Sequence, residues 1–276
     1  MDETPRVRRR WLWYGVLALP VLAAMVAIPM ISFALKLEQA RKQRAAVDAI
    51  RRMGGVVYYD YQVYFDKSQN APPPGPAWLR ELFGVDMVAS VVNVELGPQK
   101  PVDAGFDDAG LQQLEEPLKA LPRLEWLGVD GAKVTDAGLK HLAGLSQVKR
   151  LYIWGTSITD SGLEHIQGLT QLESLVIRET GITDAGLRRL AGLKHLTRLD
   201  LTKTKITGPG LRHLEGLENL KLLHLGQTKI TDAGLEYLTG FHHLKELYLG
   251  DTHVTEEGVK KLREALPNCR ISRRGH

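Results

Sequence analysis

The sequence predicts an α/β solenoid: stacked 24-residue units forming a horseshoe arc, with a parallel sheet on the concave face and short helices on the convex face. One transmembrane helix is expected to precede it. Three observations carry this. A glycine followed by an aliphatic residue recurs at Gly138, Gly162, Gly186, Gly210, Gly234 and Gly258, each 24 residues after the last. The pair Leu127/Val129 recurs with the same step at Leu151/Ile153, Leu175/Ile177, Leu199/Leu201, Leu223/Leu225 and Leu247/Leu249. Upstream, Trp11 to Leu35 runs 25 positions without a charge, long enough to span a bilayer as a tilted helix.

Each unit reads L-x-x-L-x-x-L-x-L-x-x-T-x-I-T-D-A-G-L-x-x-L-x-G. A fixed period in this range with an L-x-x-L-x-L core is the mark of a leucine-rich repeat. In the second copy, Leu151 and Ile153 alternate with Tyr152 and Trp154, the period of a short strand with one buried face. Thr156 is expected to satisfy buried backbone groups at the turn into the next copy. Thr159 is expected to cap a short helix, with Asp160 placing negative charge in its first turn. Leu163 and Ile166 mark the buried side of that helix, and Gly168 its stop. Glycine inside a helix costs about 1 kcal/mol relative to alanine, so the return of Gly162 in every copy predicts packing too close for a Cβ. One unit cannot bury its own apolar face, so the copies must stack.

In chain order, residues 1–10 form a basic tail and 11–35 a signal-anchor, with Trp11, Trp13 and Tyr14 at a membrane interface. A cleaved signal peptide ending near Ser32-Phe33-Ala34 is the alternative; the apolar run is about twice the usual signal-peptide core. The basic flanks tie, Arg6, Arg8, Arg9 and Arg10 against Lys36, Arg41, Lys42 and Arg44; the compact N-terminal cluster favours a solenoid on the non-cytoplasmic side, in the cell envelope. Residues 36–90 are expected to hold a juxtamembrane helix and an N-terminal cap. Val47, Ile50 and Met53 give that helix a weak apolar stripe, and Gly54-Gly55 ends it. Val56 to Phe65 should be a strand, Asp66 to Pro76 a stiff loop, and Ala77 to Phe83 a helix burying Trp78, Leu79 and Leu82. A chain beginning at Gly54 should therefore still fold. Residues 91–264 comprise one degenerate and six regular repeats, the degenerate one lengthened by four residues, since Leu111 to Leu139 spans 28. Residues 265–276 form a half-repeat cap containing Cys269, the sole cysteine.

The net charge of +4 is uneven. Residues 1–53 hold ten basic against four acidic side chains, so 54–276 carry −2 and give no reason to expect nucleic acid on the solenoid. No phosphate loop, H-E-x-x-H or Cys-pair motif occurs, and no cofactor is expected.

Outward strand positions of successive copies fall in columns about 4.8 Å apart. One runs Trp126, Arg150, Ser174, Arg198, Leu222, Glu246; the next Gly128, Tyr152, Val176, Asp200, His224, Tyr248; the third Asp130, Trp154, Arg178, Thr202, Gly226, Gly250. Trp126, Arg150, Tyr152, Trp154, Arg178 and Arg198, joined by Asp200, His224 and Tyr248, are the candidate partner-binding residues, because Trp, Tyr and Arg dominate binding hot spots. Cross-strand packing is the plainer role for the aromatics. Asp200 beside His224 admits a hydrolytic enzyme, but no Ser or Cys adjoins His224 in the columns, and a solvated polar pair is expected instead. His141 and His165 stack on the convex side and read as surface residues, two ligands being too few for zinc.

The T-x-I-T-D-A-G-L segments at Thr156–Leu163, Thr180–Leu187 and Thr228–Leu235 resemble those of bacterial leucine-rich repeat proteins of the T-D-A-G-L type. They are also similar to the repeats of F-box substrate receptors of ubiquitin ligases, although Thr replaces the Cys of that class and no F-box precedes the array. The resemblance implies a non-catalytic module binding a protein or peptide on the concave face, displayed on a membrane in the manner of a bacterial cell-envelope protein; a ligase substrate receptor is the alternative.

Overall fold

A computed structural model describes residues 6–64, 72–97, 106–129 and 133–273, with side chains from residue 23 onward except Tyr64. The expected interfacial Trp11, Trp13 and Tyr14 side chains, the loop residues 65–71 and Asp130 lie outside it.

Among the described residues nine strands form one sheet in sequence order: β1 (Val56–Tyr59), β2 (Val91–Leu96), β3 (Trp126–Val129), β4 (Arg150–Tyr152), β5 (Ser174–Val176), β6 (Arg198–Asp200), β7 (Leu222–His224), β8 (Glu246–Tyr248) and β9 (Arg270–Ser272). β1 is antiparallel to β2, and every later pairing is parallel. The register joins Trp126, Arg150, Ser174, Arg198, Leu222 and Glu246 in one column, and Gly128, Tyr152, Val176, Asp200, His224 and Tyr248 in the next. The fold is the expected solenoid, with the partners of each aliphatic pair (Leu151/Ile153 and its repeats) buried to 1% exposure or less.

The convex segments are the expected short helices, and some of them are 3₁₀. Gly186–Leu190 and Pro209–Leu214 are 3₁₀ turns, and Asp136–Leu139, Leu163–Ile166 and Asp232–Leu235 are single α-turns. The sequence carries the reason: Leu187, Leu190, Leu193, Leu196 and Leu199 recur at every third position and are all fully buried. A spacing of three matches the three residues per turn of a 3₁₀-helix. The four-residue insertion in the first repeat falls in α4 (Asp108–Lys119), a 12-residue helix, where it adds about one turn.

The glycine column behaves as predicted, and the structure supplies the obstacle. The Asp136 carboxylate reaches forward one repeat, accepting hydrogen bonds from the Thr159 N–H (2.8 Å) and hydroxyl (2.5 Å). Asp108 does the same to Thr135, Asp160 to Thr183, Asp184 to Thr207 and Asp232 to Thr255. A Cβ on Gly162 would lie 2.5 Å from Asp136 Oδ1. The aspartate therefore clasps adjacent repeats, beyond its expected charge in the first helical turn. Among the described residues the clasp is missing once: Gly208 stands in the aspartate position, and Thr231 has no such carboxylate.

The repeated threonine satisfies a backbone carbonyl at the turn, within its own unit, in the later copies but not at Thr156. The Thr204 and Thr228 hydroxyls donate to the carbonyls three residues back, both at 2.6 Å, whereas the buried Thr156 hydroxyl makes no hydrogen bond among the described residues. The residue before each threonine crosses to the next repeat. Glu179, Lys203, Gln227 and Asp251 adopt positive φ, and the N–H groups of Glu179, Lys203 and Gln227 donate to the carbonyls of Thr202, Gly226 and Gly250.

α1 (Arg6–Arg52) is one continuous helix. Met25, Val26, Ile28, Met30, Ile31 and Leu35 are exposed, whereas Ala40, Gln43, Ala46, Val47 and Ile50 are buried. Gln43 is held by three contacts: its amide donates to Asp86 Oδ1 and the Ala89 carbonyl, and its carbonyl accepts from the Val91 N–H. The end of the core beside β2 and α4 is thus covered by α1 itself. Removing everything before Gly54 would uncover it, contrary to the sequence expectation. Two further expectations fail here. The expected strand from Val56 ends at Tyr59 and gives way to α2 (Asp60–Tyr64), where the Asp60 carboxylate accepts from the Tyr61 N–H. α3 (Ala77–Phe83) has no fully buried residue: Leu79 and Phe83 are half-buried, while Trp78 is 59% and Leu82 70% exposed.

Candidate partner-binding face

The concave columns bring the candidate residues together, in two parts. At the N-terminal part, the Trp126 ring meets Tyr152 edge-on, centroids 5.3 Å apart. Trp126 also covers Gly128, where a Cβ would lie 2.6 Å from the ring, so it is half-buried packing as much as surface. Trp154 is 46% exposed, and the Arg178 guanidinium sits 5.7 Å from its ring centroid. Such a cation–π contact is worth about 0.5–1 kcal/mol at an exposed site. Arg150 is exposed beside this group.

The second part is a shallow groove of about 180 Å³ lined by Arg178, Arg198, Asp200, His224 and Tyr248, among others. His224 and Tyr248 stack face to face, centroids 4.2 Å apart and planes within 6°. The Tyr248 hydroxyl donates to Glu246 Oε2, which raises its pKa by stabilising the protonated phenol. Asp200 is 3% exposed and therefore not the solvated partner expected for His224. Its Oδ1 accepts from the Thr202 N–H (3.0 Å) and hydroxyl (2.6 Å), and Arg178 Nε lies 3.9 Å from its Oδ2. The Nε atoms of Arg178 and Arg198 are buried and make no hydrogen bond among the described residues. Both guanidiniums are thus set into the face at one end.

Away from this face, His141 is not an ordinary surface residue. It is 9% exposed, and its Nδ1 lies 2.6 Å from Glu115 Oε2. Lys119 and His141 together hold the Glu115 carboxyl down to about 2. Val176, in the middle of the central column, is 6% exposed, an apolar floor between Tyr152 and Asp200. Its Val-among-polar position in the column was the only sequence signal for that floor. Cys269 is buried, and burial pushes its thiol up to about 11. No group of three His, Cys, Asp or Glu that could hold a metal occurs among the described residues.

A family model described as leucine rich repeat matches residues 194–254. No curated protein matches the chain. Among solved structures, similarity extends to internalin C2 of Listeria monocytogenes, at 23% identity and a TM-score of 0.46, over 60% of this chain and 83% of that one. An internalin F of the same organism is similar at 22% identity and a TM-score of 0.39, over 58% and 57%. A leucine-rich repeat protein of Leptospira interrogans gives 16% and 0.44, over 59% and 50%. The chain thus spans about half the length of the last two. The matched segment coincides with repeats whose strands and buried leucines are described above, and the chain has the leucine-rich repeat fold.

Proposed function

We propose that this chain is a membrane-anchored, non-catalytic interaction module that binds a protein or peptide across Trp154, Arg178 and Arg198 on the concave face. Trp126, Arg150, Tyr152, His224 and Tyr248 complete the surface, and the nearly buried Asp200 lines its groove. The observation that carries this reading is the exposed Trp154 with Arg178 over its ring, opening onto the groove that holds Arg198. An exposed tryptophan costs solubility, and Trp and Arg together are the usual centre of a binding hot spot. The T-D-A-G-L repeats behind an apolar helix point to the bacterial cell envelope, with the solenoid on the non-cytoplasmic side.

A photoreactive side chain at position 154, introduced in the full-length protein in its own cell, is expected to capture a partner that the same group at the convex Tyr237 does not. Binding of that partner to the purified chain should weaken about tenfold or more in a Trp154→Ala/Arg178→Ala double variant, as truncation of two hot-spot residues does. Undiminished affinity in that variant would place the partner elsewhere.

A further inference from the structure

The exposed apolar side chains of α3 are left without a role by either the core or the concave face. Trp78 and Leu82 are 59% and 70% exposed. They lie four residues apart, on one face of the helix. Among the described residues, the remaining exposed large hydrophobics are those of α1 from Met25 to Leu35, together with Trp154 and Tyr237. α3 is joined to α1 at one level: the Phe83 ring meets Phe33 edge-on, centroids 5.7 Å apart. Just beyond, Arg44 of α1 pairs with Asp86 at 3.5 Å, and the Gln43 amide donates to the same carboxylate. The segment after α3 is therefore fastened along α1.

That level matters, because the side chains of α1 change character there. The exposed apolar run ends at Leu35, and Lys36, Glu38, Arg41 and Lys42 follow. If the apolar part spans a bilayer, this boundary is where hydrocarbon gives way to headgroups, and Phe33 sits within about one helical turn of it. Tryptophan prefers this zone, since its ring is amphipathic. The charges of α3 suit the same depth. Arg80 is turned back, its guanidinium donating to the carbonyls of Pro73 and Gly75, while Glu81 is exposed and would reach water or headgroups.

We propose that α3 is a second, interfacial membrane contact. Trp78 and Leu82 enter the lipid headgroup–acyl boundary beside the exit of α1, and so fix the solenoid's angle to the bilayer. This rests on α1 being a membrane span. A lipid surface is favoured as the occupant because the patch continues the exposed apolar side of α1 through the Phe33–Phe83 contact.

The test uses the full chain in phosphatidylcholine–phosphatidylglycerol vesicles. Spin labels are placed singly at Ile28→Cys, Leu82→Cys and Tyr237→Cys in a Cys269→Ala background. Collision with oxygen relative to a water-soluble nickel chelate is then read at each site. The ratio at 82 is expected to exceed that at 237 several-fold and to fall below that at 28. A label at 28 in lipid with a label at 82 as wet as 237 overturns the inference and leaves the span intact. Water exposure at 28 overturns both. A label at 82 shielded from oxygen and chelate alike would mean that a protein, such as a second copy, covers the patch, and would also overturn it. A second measurement keeps the native cysteine. The fluorescence difference between wild type and Trp78→Phe should be quenched more by lipids brominated near the headgroup than by lipids brominated near the chain end. No quenching by either overturns the proposal.

Discussion

At Gly186 the space for a Cβ is already occupied by the Asp160 carboxylate, which is itself committed to Thr183. The same residue thus does two jobs: it joins neighbouring units and forbids a side chain on the glycine that precedes the buried Leu187. Gly186→Val should cost about 3 kcal/mol, the upper end of overpacking penalties, whereas exposed Arg188→Ala should stay within about 0.5 kcal/mol. Equal melting temperatures for the two variants would refute this. Because the obstacle is a side chain, Gly186→Ala should be better tolerated once Asp160→Ala has removed it. A double-mutant cycle should give a coupling of about 0.5–3 kcal/mol, as for residues in direct contact. Additivity would mean that backbone, not Asp160, sets the limit. Glu115 provides a pH signature. Its folded pKa is depressed to about 2 from an ordinary 4.5, so its contribution is fully present above 4.5 and is lost as pH falls toward 2. Acid melting curves of Glu115→Gln should therefore converge on those of the wild type across that window. A constant difference from pH 6 to pH 2 would show that the depressed pKa contributes nothing.

At the scale of the element, the weak joint is the one without a clasp. Asp184 serves the preceding joint generously, accepting from the N–H groups of Thr207, Gly208 and Gly210 and from the Thr207 hydroxyl. Gly208 has φ +136°, and a Cβ there would lie 2.5 Å from the Cα of Gly234. Two repeats approach at that point through bare glycines. Restoring the repeat pattern with Gly208→Asp should consequently destabilise the protein instead of repairing it, since an aspartate would meet both a strained backbone and a neighbouring main chain. A raised melting temperature would sink this account. In the native protein, the Thr231 amide should exchange hydrogen faster than the amides of Thr183 and Thr255, which are held by aspartates.

For the whole molecule, α1 has two solvents. Its first part offers an apolar surface, and among the described residues it is the helix long and apolar enough to cross a membrane. Its second part is a wall of the core. A chain beginning at Lys36 keeps Gln43, Val47 and Ile50 in place and should melt cooperatively; one beginning at Gly54 loses them and should be markedly less stable or aggregate. Matching melting curves for the two would show that α1 is dispensable to the fold. If the first part is an uncleaved span, the full-length protein should resist salt and carbonate and yield only to detergent. Sequencing of the mature N-terminus checks the cleaved alternative, and protease added to intact cells reports the side on which the solenoid lies.

The repeat period, the aliphatic pairs and the glycine column determine the solenoid and its concave columns by themselves, because a 24-residue register leaves each strand position one neighbour on either side. The leucines at every third position also held the 3₁₀ turns, although a helix template of 3.6 residues passes over them. What only tertiary structure decided were the contacts between units distant in chain or different in kind. Asp136 clasping Thr159 and Asp200 turning into the face toward Thr202 depend on side-chain direction, which a column of letters does not carry. The same holds for α1, whose Gln43 finds its partners more than forty residues away, and for α3, where the apolar stripe at Trp78 and Leu82 signals burial in any soluble helix. Local pattern states that a side chain is apolar; only the packing of α1 against this cap leaves those two facing outward beside the exposed apolar run.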